Sequence, residues 1–481
     1  MNEPRYLIIH GHFYQPPRES PWTGIINNET SAAPFPNWNE RILSECYNAN
    51  ARAQIMEGTV VFVRSNYDAL SFNFGPTLCS WLQNHGKTAY RALRRADELS
   101  RERGNGHGNA IAQGYSHSIL PLLDPRGREL QIAWGIQDFV ARFGRLPEGI
   151  WLPECAVDAD TLAAVALAGI GFVMLGDDQG RFGREGRDSG PFLWQRDDLK
   201  LAILRFDRSI SGSIAFSDML RDGAGFAAML TDSALALAPG QALLVATDGE
   251  TFGHHKRSAA AELARAIKLL EQRGDVVLTN CGEFVATHPA AGAFEIDSPS
   301  AWSCAHGVER WRSNCGCRME PNTNQEWRRP LRATMDFVRS HCDTVYDRFA
   351  APLVADPWMV LKEAARLFVD PSAAVQEEFF SRHQAKDEVA REQLLRLFEM
   401  ERAAQAALTS CAWFFDDFGG LEGRVALRWA ARAVELAAEL MPSIEPEVLQ
   451  QLRAVRSNRR EIGDAATLYL RIKMREARGS V

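Results

Sequence analysis

Two carboxylates in this sequence stand just beyond apolar runs, and each is followed by residues that turn the chain. In GIWLPECAVD, Glu154 comes after the run Gly149–Leu152 and before the helical stretch DADTLAAVALAGI, which Asp158 or Asp160 could cap. In ALLVATDGETFGHH, Asp248 leaves an apolar run and enters a glycine-bearing turn, with Glu250 and His254 close behind. Taken singly, Glu154 need be no more than a helix-start acid and Asp248 no more than a turn residue. Taken together they suit glycosidic chemistry, in which one carboxylate attacks or stabilises the anomeric carbon and the other protonates the leaving oxygen. A carboxyl separation of roughly 5–5.5 Å gives retention of configuration, and roughly 6.5–9.5 Å gives inversion.

The opening HGHFYQPP puts His10 and His12 on one side of a strand end, since alternate residues share a face. Three roles compete: hydrogen bonding to sugar hydroxyls, a metal pair, or core histidines satisfied by the backbone. A metal-dependent hydrolase of the HxH barrel type needs further ligands, for which His117, His254, His255 and Asp248 are the candidates. The placement of Glu154 and the aromatic residues Trp22, Trp38, Trp151, Trp302 and Trp311 suit a sugar cleft better, because indole rings stack on the apolar faces of sugars. A catalytically silent glucan-binding protein is the remaining alternative. Cys304, His306, Cys315 and Cys317 lie close together in SAWSCAHGVERWRSNCGC, but not at a standard zinc spacing. Free buried thiols are therefore the expectation, and metal binding there stays open. The aromatic stretch TSCAWFFDDFGG, with Asp416 and Asp417, is expected to pack against the domain before it, with a contribution to the substrate cleft as the alternative.

The elements that must position these residues follow from the apolar pattern. Up to about residue 300, short runs alternate with amphipathic helical stretches: Tyr6–His10, Val60–Val63, Gly149–Leu152, Gly171–Leu175, Leu201–Phe206, Ala242–Thr247 and Val276–Thr279. Such runs are what a parallel sheet buried on both faces requires. Several end in polar residues, which then share one rim, and this predicts an α/β fold of (β/α)-barrel type. Past about residue 320, Ala, Arg, Glu and Leu dominate, with helical periodicity in Gln325–Tyr346, Met359–Phe368, Asp387–Ser410, Arg424–Leu440 and Glu447–Lys473. Two domains are expected: a barrel over residues 1–318, and an α-helical bundle over 319–481 packing near the active-site rim. The loop Gly176–Gly190 reads as a surface excursion between strands.

Bulk properties exclude several classes. Among 481 residues, 54 Lys and Arg face 61 Asp and Glu, a net charge of −7, so no cationic excess suits a nucleic acid or an anionic membrane. No run approaches the roughly 18 apolar residues of a membrane span. The four apolar residues Tyr6–Ile9 are too short for a signal-peptide core. The nine cysteines, an odd number in a large chain, suit reduced thiols, and a cytoplasmic location is expected.

As an ordered set, HGHFYQP, GYSHSILPLL, WLPEC, TDGETFGHH and AWSCAHGVERW resembles the five motif regions of glycoside hydrolase family 57. The resemblance implies an α-glucan-active enzyme with a (β/α)7 barrel and a following helical domain, retaining configuration, with no metal or organic cofactor. Residue by residue it implies Glu154 as nucleophile and Asp248 as acid/base. It further implies that His12, with His10 beside it, His117 and His254 lie at the sugar, and that Trp302 matches the fifth-region tryptophan. The residues flanking Trp302 depart from the branching-enzyme pattern. Gln15, Trp151 and Glu250, inside the same motifs, complete the expected substrate-binding set. The tail, with YDRFAAPLVADPW and TSCAWFFDDFGG, resembles a domain of unknown function fused to a subset of the family and not the usual branching-enzyme tail. The expected partner is an α-glucan or malto-oligosaccharide, while hydrolysis, transfer, branching and oligomeric state stay open.

Overall fold

The computed structural model describes residues 3–183, 186–296 and 299–477, so two positions of the Gly176–Gly190 loop lie outside the described residues. The chain forms two compact units, one of residues 1–15, 28–113 and 142–298, the other of residues 16–27, 114–141 and 299–481.

The first unit is built on parallel strands: β1 (Arg5–Phe13), β2 (Ser71–Phe74), β3 (Ala112–Gln113), β4 (Ile150–Trp151), β5 (Phe172–Gly176), β6 (Leu199–Phe206) and β7 (Ala242–Asp248). A further strand, β8 (Val276–Leu278), pairs with Arg5–Leu7. β1 is central, pairing with β7 on one edge and, over His10–Phe13, with β2 on the other. β3 pairs with β4 and β5 with β6, while single parallel bridges Phe72↔Ala110 and Gly149↔Phe172 carry the succession from β2 to β3 and from β4 to β5. Spatial order thus follows chain order, as successive strand–helix crossovers produce. Leu7, Ile9, Leu243 and Val245 pack with Ile210, Phe226, Leu230, Leu263 and Ile267 from the covering helices into one core. Double-sided burial explains why β1 and β7 are written as unbroken apolar runs.

The expected closed barrel is not formed as a sheet: among the described residues no ladder joins β6 to β7. The antiparallel strand Phe192–Arg196 occupies the other edge of β6, and Ser189 continues that line. Ser189 N–H donates to Ala242 O at 3.0 Å, and its Oγ accepts the Leu244 N–H at 2.7 Å. Ser211 Oγ accepts the Ala246 N–H at 3.1 Å, and only Asp207 N–H reaches across from the end of β6, to Leu244 O at 3.0 Å. Serine hydroxyls therefore satisfy the β7 amides that a neighbouring strand would otherwise take.

One expected strand needs correction, and one strand was not expected. Val60–Arg64 is not part of the parallel set but the second arm of an antiparallel hairpin with Ala53–Glu57, and Val60 to Val63 are exposed. The place given to it belongs to Ser71–Phe74, whose SFNF sequence reads as half-polar but is buried throughout.

The second unit carries the helices Arg328–Ala350, Glu388–Ala406, Leu421–Leu440, Ile444–Leu452 and Ala465–Ala477. The expected helix Glu447–Lys473 is interrupted after Leu452, where Gly463 takes a left-handed φ of 78° and the Asp417 carboxylate accepts Ser457 Oγ–H and Asn458 N–H at 2.9 and 2.6 Å. Met359–Phe368 is likewise split into Pro357–Glu363 and Ala365–Val369. Asp416 accepts the amides of Met319 and Glu320 at 2.9 and 2.7 Å, so both aspartates anchor turns of this unit. Among the described residues no helix is long and apolar enough to cross a membrane.

The β6–β7 seam yields a stability prediction. Ser189→Ala strands a buried β7 amide and should cost about 1–3 kcal/mol in urea unfolding, whereas the exposed Ser213→Ala should change stability by less than about 0.5 kcal/mol.

Candidate active site

The register of β1 sets its first layer. His12 is the paired residue of both Asn73 on β2 and Asp248 on β7, and Gln113 on β3 pairs with Trp151 on β4. His10 and His12 stack along the Trp151 ring, with centroids 5.0 and 4.8 Å away and planes within 16°.

Hydrogen bonding then fixes the proton positions. Burial lowers the His10 pKa to about 3, so the ring is neutral and has one donor and one acceptor nitrogen. Asn73 Oδ1 can only accept, so His10 donates to it from Nε2 at 3.0 Å, and Nδ1 accepts from Ser71 Oγ–H at 3.1 Å. Both His10 nitrogens are thereby engaged, which leaves the HxH pair one nitrogen short of a metal grip. The Asn73 amide donates from Nδ2 to Gln113 Oε1 at 2.6 Å and to His12 Nδ1 at 2.9 Å. Asn73 Oδ1 lies farther from His12 Nδ1, at 3.3 Å, so the shorter contact makes Nδ1 the acceptor and places the ring proton on Nε2.

Glu154 follows β4 in the short 3-10 segment Pro153–Cys155, with φ of 59°, and Cys155 after it has φ of 47°. Two successive non-glycine residues in the left-handed region cost about 1–3 kcal/mol each and persist only where surrounding bonds over-determine them. Here Cys155 N–H donates to Leu152 O at 2.8 Å and Ala156 N–H to Pro153 O at 3.0 Å. Buried Gln179 completes the hold: its Nε2 donates to Cys155 O at 2.7 Å, and its Oε1 accepts Gly176 N–H at 2.9 Å. Gln179 thus ties the turn after β4 to the end of β5. Of the two possible caps, Asp158 starts the next helix by accepting Thr161 N–H at 2.7 Å.

Asp248 ends β7, where solvent reaches it although protein surrounds it on most sides. Burial, with the nearby negative charge of Glu154, raises its pKa from 3.8 to about 7. Glu250 is buried, and its Oε1 accepts Tyr47 Oη–H at 2.7 Å and Tyr14 N–H at 3.2 Å. Burial, partly offset by the Tyr47 hydrogen bond and reinforced by the Asp248 charge, raises its pKa to about 8. Near neutral pH Glu250 therefore keeps its proton and adds little negative charge beside Asp248. His254 Nδ1 bonds Glu45 Oε2 at 2.5 Å, with its ring edge-on to Trp38 at 5.7 Å. Gln15 is buried, and its carbonyl accepts Thr77 Oγ1–H at 3.2 Å.

The first unit thus contains His10, His12, Gln15, Trp151, Glu154, Asp248, Glu250 and His254. His117 and Trp302 belong to the second. His117, at φ 56°, has Nδ1 2.6 Å from Ser410 Oγ, and burial lowers its pKa to about 3. Trp302 is half-buried in the long loop before the Arg328–Ala350 helix. Sequence reading missed Ser71, Asn73, Gln113 and Tyr47, which meet the candidate residues only through tertiary contacts, and Gln179, which holds the turn that carries Glu154. The alternation in SFNF was the available sign for Asn73.

The Asn73 amide gives a sharp test. Asn73→Asp keeps size and the acceptor for His10 but removes the donor to His12, so the His12 proton should move to Nδ1. Histidine nitrogen NMR should report the tautomer change, and turnover should fall by about 10²-fold or more with the fold intact.

Comparison with known proteins bears on the family and the fold. The pattern of a domain of unknown function, DUF3536, matches residues 323–477. A 1,4-alpha-glucan branching enzyme of Thermococcus kodakarensis is 44% identical over 55 residues, 11% of this chain and 8% of that protein. Alpha-amylase 1 of Dictyoglomus thermophilum is 25% identical over 152 residues, 31% of this chain and 21% of the amylase. The chain thus aligns with less than a quarter of the length of either relative. In fold it resembles the exo-type maltose-forming amylase of Pyrococcus sp. ST04, with a TM-score of 0.69 at 16% identity over 98% of this chain and 83% of the other. The GH57-type branching enzyme of Pyrococcus horikoshii gives a TM-score of 0.55 at 14% identity over 98% and 94%. The pattern of glycosyl hydrolase family 57 matches residues 26–297, more than half of the sequence, and the chain belongs to that enzyme family.

Proposed function

We propose that this chain is a retaining enzyme of α-glucans that works through a covalent glycosyl-enzyme, with Glu154 as nucleophile and Asp248 as acid/base. The observation that carries the reading is the pair itself. Asp248 holds its proton to about pH 7 because the protein around it and the charge of Glu154 both disfavour its charged form, and that is the state a general acid needs. The α-glucan class is supported by the named activities of the related branching enzyme and amylases. We read the chain-ordered strands β1–β7 as a (β/α)7 barrel opened at the β6–β7 seam.

In the first step Asp248 gives its proton to the glycosidic oxygen, the bond from that oxygen to the anomeric carbon breaks, and a Glu154 oxygen bonds to that carbon. Esterification removes the Glu154 charge, so the Asp248 pKa falls and the carboxylate becomes a base. It then takes a proton from water or from a sugar hydroxyl, which attacks the same carbon and frees Glu154. His12, carrying its proton on Nε2, donates a hydrogen bond to the sugar being transferred, and Trp151 and Asn73 hold that ring in place.

Glu154→Gln and Asp248→Asn should each lower kcat by at least about 10³-fold without loss of secondary structure, and near-normal turnover in either sinks the assignment. In the wild type, kcat/KM should fall on the alkaline side through about pH 7, the pH at which Asp248 loses its proton. Products from maltoheptaose and amylose decide the outcome: shorter chains mean hydrolysis, longer ones transfer, new branch points branching. No change in either substrate removes the α-glucan reading.

A further inference from the structure

The loop from residue 299 to residue 327 brings together Cys304, His306, Cys315 and Cys317, whose ligand atoms all lie within 4.8 Å of one another. All three cysteines are free thiols. Cys317 Sγ lies 3.8 Å from Cys304 Sγ and 3.5 Å from His306 Nδ1. The first distance is far beyond the roughly 2.05 Å of a disulfide. A tetrahedral zinc ion with Zn–S near 2.3 Å and Zn–N near 2.0–2.1 Å has S···S edges of about 3.8 Å and S···N edges of about 3.5 Å. The two observed separations are those edges. We propose that these four side chains form a closed structural zinc site, a role separate from the carboxylate chemistry.

The backbone is shaped for such a grip. An antiparallel bridge between Ala301 and Cys304 closes a tight turn just ahead of His306. Gly307 after it has φ of 75°, and a Cβ there would meet Pro299 O at 2.4 Å. Gly316, between Cys315 and Cys317, has φ of 84°. These turns let ligands separated by single residues converge, where the usual zinc knuckle has at least two between them. Three thiolates with Zn²⁺ leave one net negative charge, and a fully buried cation is in place to balance it. Arg328 directs Nη1 to Cys315 Sγ at 3.8 Å and donates from Nη2 to Cys317 O at 3.0 Å. Three soft sulfurs and one imidazole favour zinc over the hard cations. A long loop with little regular structure is thereby stapled to the first residue of the Arg328–Ala350 helix.

Elemental analysis of untagged protein grown with zinc should find about one zinc per chain, released when an organomercurial blocks the thiols. Cys304→Ser, Cys315→Ser and Cys317→Ser should each lower the content at least tenfold, while Cys342→Ser, a buried thiol elsewhere, should leave it unchanged. Zinc removal should lower the thermal midpoint by several degrees and reloading should restore it. Should the variants fail to fold, exchange of cobalt into the wild type keeps the test alive, since tetrahedral thiolate ligation gives a sulfur-to-cobalt charge-transfer band. Zinc far below one per chain, full zinc in the Cys315→Ser/Cys317→Ser double variant, or cobalt without that band would overturn the proposal. So would a denatured thiol count two short of the nine cysteines, which would mean a disulfide.

Discussion

Because β1 is hydrogen-bonded on both edges over His10–His12, its pairing fixes at once which residues of β2 and β7 stand beside the histidines. A slip of one residue would turn His10 and His12 to the opposite face and set Trp151, Asn73 and Asp248 against Ile9 and Gly11. The buried apolar residues of β1, Leu7 to Ile9, prevent that slip, so the core that stabilises the unit also aims its chemistry. One side chain then converts position into protonation: the Asn73 amide accepts from His10 through Oδ1 and makes its shorter contact with His12 Nδ1, 2.9 Å against 3.3 Å, through the donor Nδ2.

Around this layer, unfavourable local states are tolerated because neighbours constrain them. Glu154 and Cys155 adopt a conformation that non-glycine residues rarely take, and Gln179 bridges from the end of β5 to hold them there. Asp248 and Glu250 share a surrounding that disfavours charge, and Glu250 avoids the conflict by keeping its proton. The same crowding that costs folding free energy leaves Asp248 able to exchange a proton near neutral pH.

What the sequence disclosed were elements whose pattern and role coincide. Ala242–Asp248 is an apolar run that ends in the candidate carboxylate Asp248, and of the two aspartates that could cap the helix after Glu154, Asp158 does so. It misled where local pattern and tertiary place diverge. Val60–Val63 has the composition of a buried strand yet forms an exposed hairpin arm, while Ser71–Phe74 looks half-polar because its Ser and Asn are buried as partners of His10 and His12. The interruption near Gly463 is hidden for a similar reason, since the carboxylate that takes the Ser457 hydroxyl and the Asn458 amide comes from Asp417, dozens of residues earlier. Metal binding by the Cys304–Cys317 cluster stays open in the sequence because spacing patterns count residues, whereas the turns that bring the cluster together contain two glycines with positive φ.

The serine-lined seam between β6 and β7 bears on how such a fold can grow. A ladder of backbone hydrogen bonds admits no extra chain without breaking its rungs, but here the β7 amides are already satisfied by side chains. The chain between Gly176 and Leu199 can therefore leave the strand succession, add the antiparallel strand Phe192–Arg196 on the outer edge of β6 and return, without breaking the β5–β6 or β1–β7 ladder. At this seam a lineage could lengthen or trim the protein while the register behind the histidines stayed as it is.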